Sequence, residues 1–353
     1  MNPHSQSSNT FKFLHIQTLR GISALLVILF HSNALTINYG QEPSWAKILL
    51  GSFGEAGVDI FFVISGFIIA TVTPLGSGIK EFLIKRAIRV VPLYWCVTLF
   101  YLSIYFLLPQ AFNTFHAELY HVVSSFLFIP SAGPDGQVVP VVSYGWSLNF
   151  EVLFYILFSF FLPFTTWQRV LGVIGGFVFI FILALFSEVF PAKWATALNF
   201  YNNSMVIEFV VGMILGTLYI EKVKITRYLP LLSLTILAIY FFLKFSMDGM
   251  SDIRFVRYGL PAISIFSIFL YLDLTQKVKP ILVRLGDISY SLYLVQAFTL
   301  PILWKLLMRL GIMQRMNVNL IVLVSIAFTI FVAELTYRFI EKKSQRQLNR
   351  FFR

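Results

Sequence analysis

Cysteine is almost missing from this sequence: one residue, Cys96, in a chain of 353. A single thiol excludes an intramolecular disulfide and says nothing of redox compartment. Charge is scarce as well. Asp, Glu, Lys and Arg make up 12% of the chain, where a soluble domain carries about 25%, and that deficit excludes an ordinary soluble globule. Acidic residues are scarcest, 16 against 27 Lys and Arg, for a net charge of +11. There is no Gly-rich phosphate loop, no Gly-x-Ser-x-Gly elbow and no Cys/His spacing for a metal site. Internal repeats, low-complexity stretches and the alternating segments of an outer-membrane barrel are absent too. The Met1–Lys12 lead is polar and lacks a small-residue cleavage site, so no removable signal peptide is expected.

What fills the chain instead is apolar. Hydrophobic residues reach 58%, 39 of them Phe, and the mean hydropathy is +0.80. The reading is an all-α integral membrane protein. Ten apolar segments are long enough to span, at roughly 13–35, 54–72, 90–108, 144–164, 168–187, 204–220, 228–246, 255–273, 285–307 and 318–341. Val122–Pro130 is shorter and reads as re-entrant or interfacial. Pro92, Pro109, Pro163, Pro230, Pro261 and Pro301 fall mostly near segment ends, where helices tolerate them. With both termini in the cytoplasm, 19 of the 27 Lys and Arg lie on the cytoplasmic side, and the connection 109–143 has none. That asymmetry is the positive-inside pattern. It accounts for the basic balance without nucleic acid. The expectation is one polytopic domain over 1–353 in membrane lipid, with a short cytoplasmic lead (1–12) and a basic cytoplasmic tail (342–353).

Polar residues break the apolar background in four segments. In Leu19–His31, Arg20 and His31 are eleven residues apart. At ~100° and ~1.5 Å per residue they share a helix face and stand roughly 16 Å apart. Ionisable residues within a bilayer segment are functional-site hypotheses by default. In Gly57–Phe67, Asp59 and Gly66 share a face, and a small residue there lets another helix come close. Tyr144, Ser147, Glu151 and Tyr155 form one polar stripe, and Glu151 sits ~10 Å below the outer end of its helix. Ser289, Tyr293 and Gln296 share a face of a late helix. On the ten-span topology His31, Asp59, Glu151 and Gln296 lie at similar depth in the outer half. A His beside a carboxylate is the minimal general-base unit, because the carboxylate fixes the tautomer and supports the imidazolium. A fifth constellation, Lys85–Arg89, lies on the cytoplasmic loop before the third span. Arg86 and Arg89 at i, i+3 present two guanidiniums suited to phosphate, and Arg20 extends that basic site.

Plainer readings stand beside these. His31 can bond a backbone carbonyl, Asp59 can join helices, and Lys85–Arg89 can be ordinary positive-inside charge. Glu334, Arg338 and Glu341 read as a local ion-pair ladder. His4, His15, His116 and His121 receive no role.

Taken together, these segments resemble the membrane-bound acyltransferase-3 family, especially its bacterial exopolysaccharide O-acetyltransferases. Arg20 and His31 match its Arg/Lys-x10-His pattern. Gly57–Phe67 is nearly its second-helix signature. Arg86-Ala87-Ile88-Arg89 matches Arg-x-x-Arg, Ser147–Glu151 matches Ser-Leu-x-x-Glu, and Ile288–Leu294 matches the late-helix motif. Gln296 departs where the family often has His, and Glu341-Lys342-Lys343 lacks the frequent Pro. The resemblance implies ten transmembrane helices in the bacterial inner membrane and O-acylation of a carbohydrate, usually from cytoplasmic acetyl-CoA. It also implies His31 as catalytic residue and Arg86 and Arg89 as acyl-CoA contacts. The combined expectation has the donor on Arg86, Arg89 and Arg20, and a lipid-linked or polymeric acceptor entering from outside. His31 is general base, oriented by Glu151 or Asp59. Ser147, Asn149, Tyr293 and Gln296 are candidate oxyanion or acceptor contacts, and no metal is required. The rival is a transporter or flippase of a polysaccharide precursor, since polar residues inside a bundle also mark substrate pathways.

Overall fold

The structure is a computed structural model that describes residues 5–42, 44–45, 53–108, 117–223, 228–246, 254–272, 278–313 and 315–352. Among these residues the regular structure is helical throughout. The helices are α1 (Ser5–Asn38), α2 (Ala56–Val72), α3 (Ile79–Leu107), α4 (Leu119–Phe126), α5 (Trp146–Phe160), α6 (Thr166–Leu185) and α7 (Ala192–Tyr201). They continue with α8 (Val206–Ile220), α9 (Leu229–Ser246), α10 (Leu260–Leu272), α11 (Pro280–Asp287), α12 (Ser289–Arg309), α13 (Val318–Thr336) and α14 (Lys342–Phe351).

Each of the ten segments read from the sequence contains a helix. Length separates them. Six helical stretches among the described residues are long and apolar enough to cross a bilayer: Leu14–Asn38, Phe53–Val72, Ile79–Leu107, Thr166–Leu185, Ser289–Arg309 and Val318–Phe351. The bent pair Ala192–Tyr201 and Val206–Ile220 makes a seventh if it counts as one span. A multi-pass membrane protein follows. Helix α5, with 15 residues, covers about 22 Å, short of the ~30 Å hydrocarbon core. Of the charges that the sequence reading assigns to the cytoplasmic side, Lys224, Arg227, Lys277 and Arg353 lie outside the described residues, as do Pro109, His4, His116 and residues 1–4 of the lead.

Three local expectations change. The lead is helical from Ser5, so α1 runs unbroken through the Arg20–His31 pair. Lys85–Arg89 lies in the second and third turns of α3, not on a loop. The i, i+4 pair of Glu81 and Lys85, at 2.5 Å, supports helix through this charged stretch. Pro92 therefore becomes interior to α3, and Pro301 is interior to α12. Val122–Pro130 holds the later part of the eight-residue amphipathic α4, which begins at Leu119.

The chain forms two compact units. One comprises Met1–Thr73, Ser204–Tyr293 and Leu300–Ile330. Its core brings Leu19 of α1, Ile60 and Phe67 of α2, Leu215 of α8 and Phe266 of α10 together. Helices α2 and α8 cross with their backbones touching. A Cβ on Gly66 would stand 2.1 Å from the Phe209 carbonyl oxygen, and one on Gly212 would stand 2.2 Å from that of Val63. The close approach expected at Gly66 is thus made, and the partner is α8. Helix α11 seats against α1 in the same way, because a Cβ on Gly286 would meet the Gln17 carbonyl oxygen at 1.9 Å.

The other unit comprises Pro74–Asn203, Leu294–Thr299 and Phe331–Arg353. Aromatic rings fill it: Phe82, Phe154 and Phe158 cluster where α3 meets α5, and Phe150 stacks on Phe200 of α7 with centroids 4.7 Å apart. Arg169, counted from sequence among the cytoplasmic charges, is 3% exposed. It donates to the carbonyls of Leu162 at 2.6 Å, Phe164 at 3.0 Å and Pro74 at 3.2 Å. The Leu162 and Phe164 carbonyls lie just beyond the end of α5, where a cation is favoured. Along Glu334, Arg338 and Glu341, Arg338 pairs with Glu334 at 2.5 Å while Glu341 accepts from Gln345 at 3.5 Å. The π-helical turn Tyr337–Glu341 adds a residue per turn and shifts the ladder's register.

Candidate active site

In the first unit, the unbroken helix α1 keeps Arg20 and His31 on one face, with His31 half-buried. Arg20 is tied sideways. Its Nη1 donates to Gln17 Oε1 at 3.1 Å, Gln17 Nε2 donates to Asp287 Oδ1 at 2.8 Å, and Arg284 stands 3.8 Å from Asp287. The end of α11 thereby fixes the Arg20 head through Gln17. On α12, Tyr293 is buried and its ring meets Phe61 edge-on at 6.1 Å, while Gln296, also buried, belongs to the other unit.

Asp59 could support a base or join helices. In the structure it forms an ion pair with Arg254, far along the chain. It is fully buried, and its Oδ2 accepts from Arg254 Nη2 at 2.9 Å. Arg254 also bonds Glu55 at 3.1 Å, and the Tyr258 hydroxyl donates to Glu55 at 3.4 Å. Glu208 of α8 completes this cluster, also fully buried. Periodicity did not mark it, although an acidic residue inside an apolar segment is a signal by itself.

In the second unit, the polar stripe on α5 becomes a bonded constellation. Ser147 and Asn149 are buried, and Glu151 is half-buried. The Tyr155 hydroxyl donates to Glu151 Oε1. The Arg86 guanidinium lies over the rings of Phe82 and Tyr155, 5.4 and 5.7 Å from their centroids, a cation–π arrangement. Arg86 thus meets the Glu151 stripe through Tyr155, a residue the sequence put on the stripe without a role. The expectation set Glu151 in the outer half of its span and Arg86 on the cytoplasmic loop before the third span. That separation is overturned, because α3 carries Arg86 two turns into its own length, where α5 packs. Arg86 Nε is buried and finds no partner among the described residues.

His121 is a further polar residue with no role assigned from sequence. It is buried on α4 with its Nδ1 3.1 Å from the Ser131 hydroxyl. Burial pushes its pKa down against the opposing pull of Glu118 and Asp135, so the ring is neutral at pH 7. Ser125 bonds the His121 carbonyl at 2.8 Å and accepts from Val141 N–H at 2.9 Å. These bonds pin the connection between α3 and α5.

The model of one protein family, an acyltransferase domain, matches residues 13–338. The chain belongs to the acyltransferase-3 family. Among its relatives is the exopolysaccharide production protein ExoZ of Rhizobium meliloti (strain 1021), 32% identical over 269 residues, or 74% of this chain and 81% of the relative. The O-acetyl transferase of Shigella phage Sf6 is 30% identical over 184 residues, covering 48% of this chain and 49% of that one. The acyltransferase MdmB of Streptomyces mycarofaciens is 22% identical over 308 residues, covering 78% and 76%. No solved structure matches the chain. The family match spans both compact units and every candidate residue from Arg20 to Gln296.

Proposed function

We propose that this acyltransferase moves an acyl group, acetyl by preference, from cytoplasmic acyl-CoA to a hydroxyl of an exported or cell-surface carbohydrate. What carries the reading is that the family match takes in each polar residue singled out above, in a chain similar to an exopolysaccharide production protein and an O-acetyl transferase. His31 acts as general base. It takes the proton as the hydroxyl oxygen bonds the acyl carbon, the carbon–sulfur bond breaks, and the proton passes to the departing CoA thiolate. Ser147, Asn149, Tyr293 and Gln296 supply donors for the developing oxyanion or hold the acceptor. Arg86 and Arg89 take the donor phosphates. Glu151 supports the chemistry by holding Tyr155 against Arg86. Asp59 maintains the frame of α2.

Two results test the assignment of sides and of donor. In the proposed ten-span topology, with both termini in the cytoplasm of a bacterial inner membrane, exposed Asp135 replaced by Cys in a Cys96→Ser background is labelled from outside. Gln347→Cys is labelled only after permeabilisation. Reversed labelling puts the donor on the wrong side. For the donor, Arg89→Lys weakens acetyl-CoA binding mildly, because Lys keeps the charge and loses the planar fork. Arg86→Ala with Arg89→Ala weakens it by about 1.5–3 kcal/mol per lost contact at most, since water screens part of each. The effect shrinks in high salt. Unchanged CoA affinity in the double variant at low salt would make the pair ordinary positive-inside charge.

A further inference from the structure

The cluster around Arg254 holds more acid than base. Glu55, Asp59 and Glu208 supply three carboxyl groups, and the Arg254 guanidinium answers two of them, Glu55 at 3.1 Å and Asp59 at 2.9 Å. The third, Glu208, is fully buried. Both its oxygens, and the Oδ1 of Asp59, have no donor among the described residues. Asp59 and Glu208 belong to one crossing: Phe62, three residues beyond Asp59, stacks on Phe209, next to Glu208, with ring centroids 4.4 Å apart, and the segment that carries Arg254 and Gly259 meets both acids. Two carboxylates are both acceptors, so they can bond each other only when one of them carries a proton. Two like charges this close, out of water, do not both ionise. Backbone geometry leaves the group room. Gly259 faces Glu208 Oε1, and a Cβ there would stand 2.4 Å from that oxygen. No group of His, Cys, Asp or Glu among the described residues is arranged to hold a metal ion.

We propose that Asp59 and Glu208 bind one proton between them, carried on Glu208 and donated to Asp59 Oδ1. The cluster is then a proton-binding site at the crossing of α2 and α8, separate from the acyl-transfer residues and independent of the function proposed above. It matches the count of groups: two carboxylates on the guanidinium, and a neutral acid in the place left over. Its consequence is that Glu208 behaves as a neutral hydrogen-bond donor, which an amide of the same size can replace.

Infrared spectroscopy of the purified full chain at neutral pH tests this. The wild type should show a protonated-carboxyl C=O band that moves on exchange into D2O, and Glu208→Gln should lose that band while melting close to wild type. The band should be equally strong in sodium-containing and sodium-free buffer. A wild-type spectrum without such a band overturns the proposal even if Glu208→Gln cannot be recovered folded. A band unchanged in folded Glu208→Gln overturns it too, and so does one that appears only when sodium is withheld, which would make the occupant a metal cation.

Discussion

Replacing His31 with alanine is expected to abolish acyl transfer while the protein still inserts and folds. The structural half of this expectation rests on α1. His31 lies in an unbroken helix, is only half-buried, and alanine is the best helix former. The helix and its seating on α2 and α11 therefore survive. The chemical half rests on what a hydroxyl needs. A sugar hydroxyl is a poor nucleophile until its proton is taken, and a positioned base contributes about 10²–10⁴-fold. Glu151→Gln keeps an acceptor for the Tyr155 hydroxyl but removes a charge beside Arg86, and a smaller drop than that of His31→Ala is expected. Its effect should appear partly in the apparent affinity for acyl-CoA, whereas the His31 effect should appear in turnover. Wild-type turnover in a folded His31→Ala protein would remove the base from the mechanism.

The second large effect is structural. Arg254→Ala leaves Asp59, which is 0% exposed, and Glu55 without their shared cation. Breaking a buried pair by removing one partner costs about 3–5 kcal/mol, because the charge left behind stays desolvated. A much lower melting temperature in detergent, or no recoverable folded protein, is the expected outcome. Arg254→Lys should rescue only part of the loss, since a point charge cannot bridge two carboxylates as the planar fork does. An Arg254→Ala protein that melts with the wild type would mean the cluster contributes nothing to holding α2 in place.

The sequence shows the helices well and their lateral contacts poorly. Segment positions were legible because apolar runs in a membrane protein are long and the charges between them are few. The α2–α8 crossing was half legible: Gly66 announced a close approach, but nothing local named Gly212 as its counterpart. The Arg254–Asp59 pair spans 195 residues, and no periodicity encodes such a pairing. Glu208 is an acidic residue in an apolar run, but it forms no stripe, so periodicity does not single it out. Glu151 is legible by its stripe, whereas the packing of its neighbour Tyr155 against Arg86 is not. The charged start of α3 reads as loop when hydropathy alone sets the boundary, and the helix continues through it. Once it does, Arg86 stands beside Tyr155.

Transfer itself is the measurement closest to the central claim. Purified protein given acetyl-CoA labelled in the acetyl group, together with an exopolysaccharide or its lipid-linked precursor, should move label onto the carbohydrate as an alkali-labile ester. One free CoA thiol should appear for each ester formed, and neither product should appear with His31→Ala. Acetyl-CoA left intact while the carbohydrate crosses the membrane unmodified would contradict the account and make this chain a carrier.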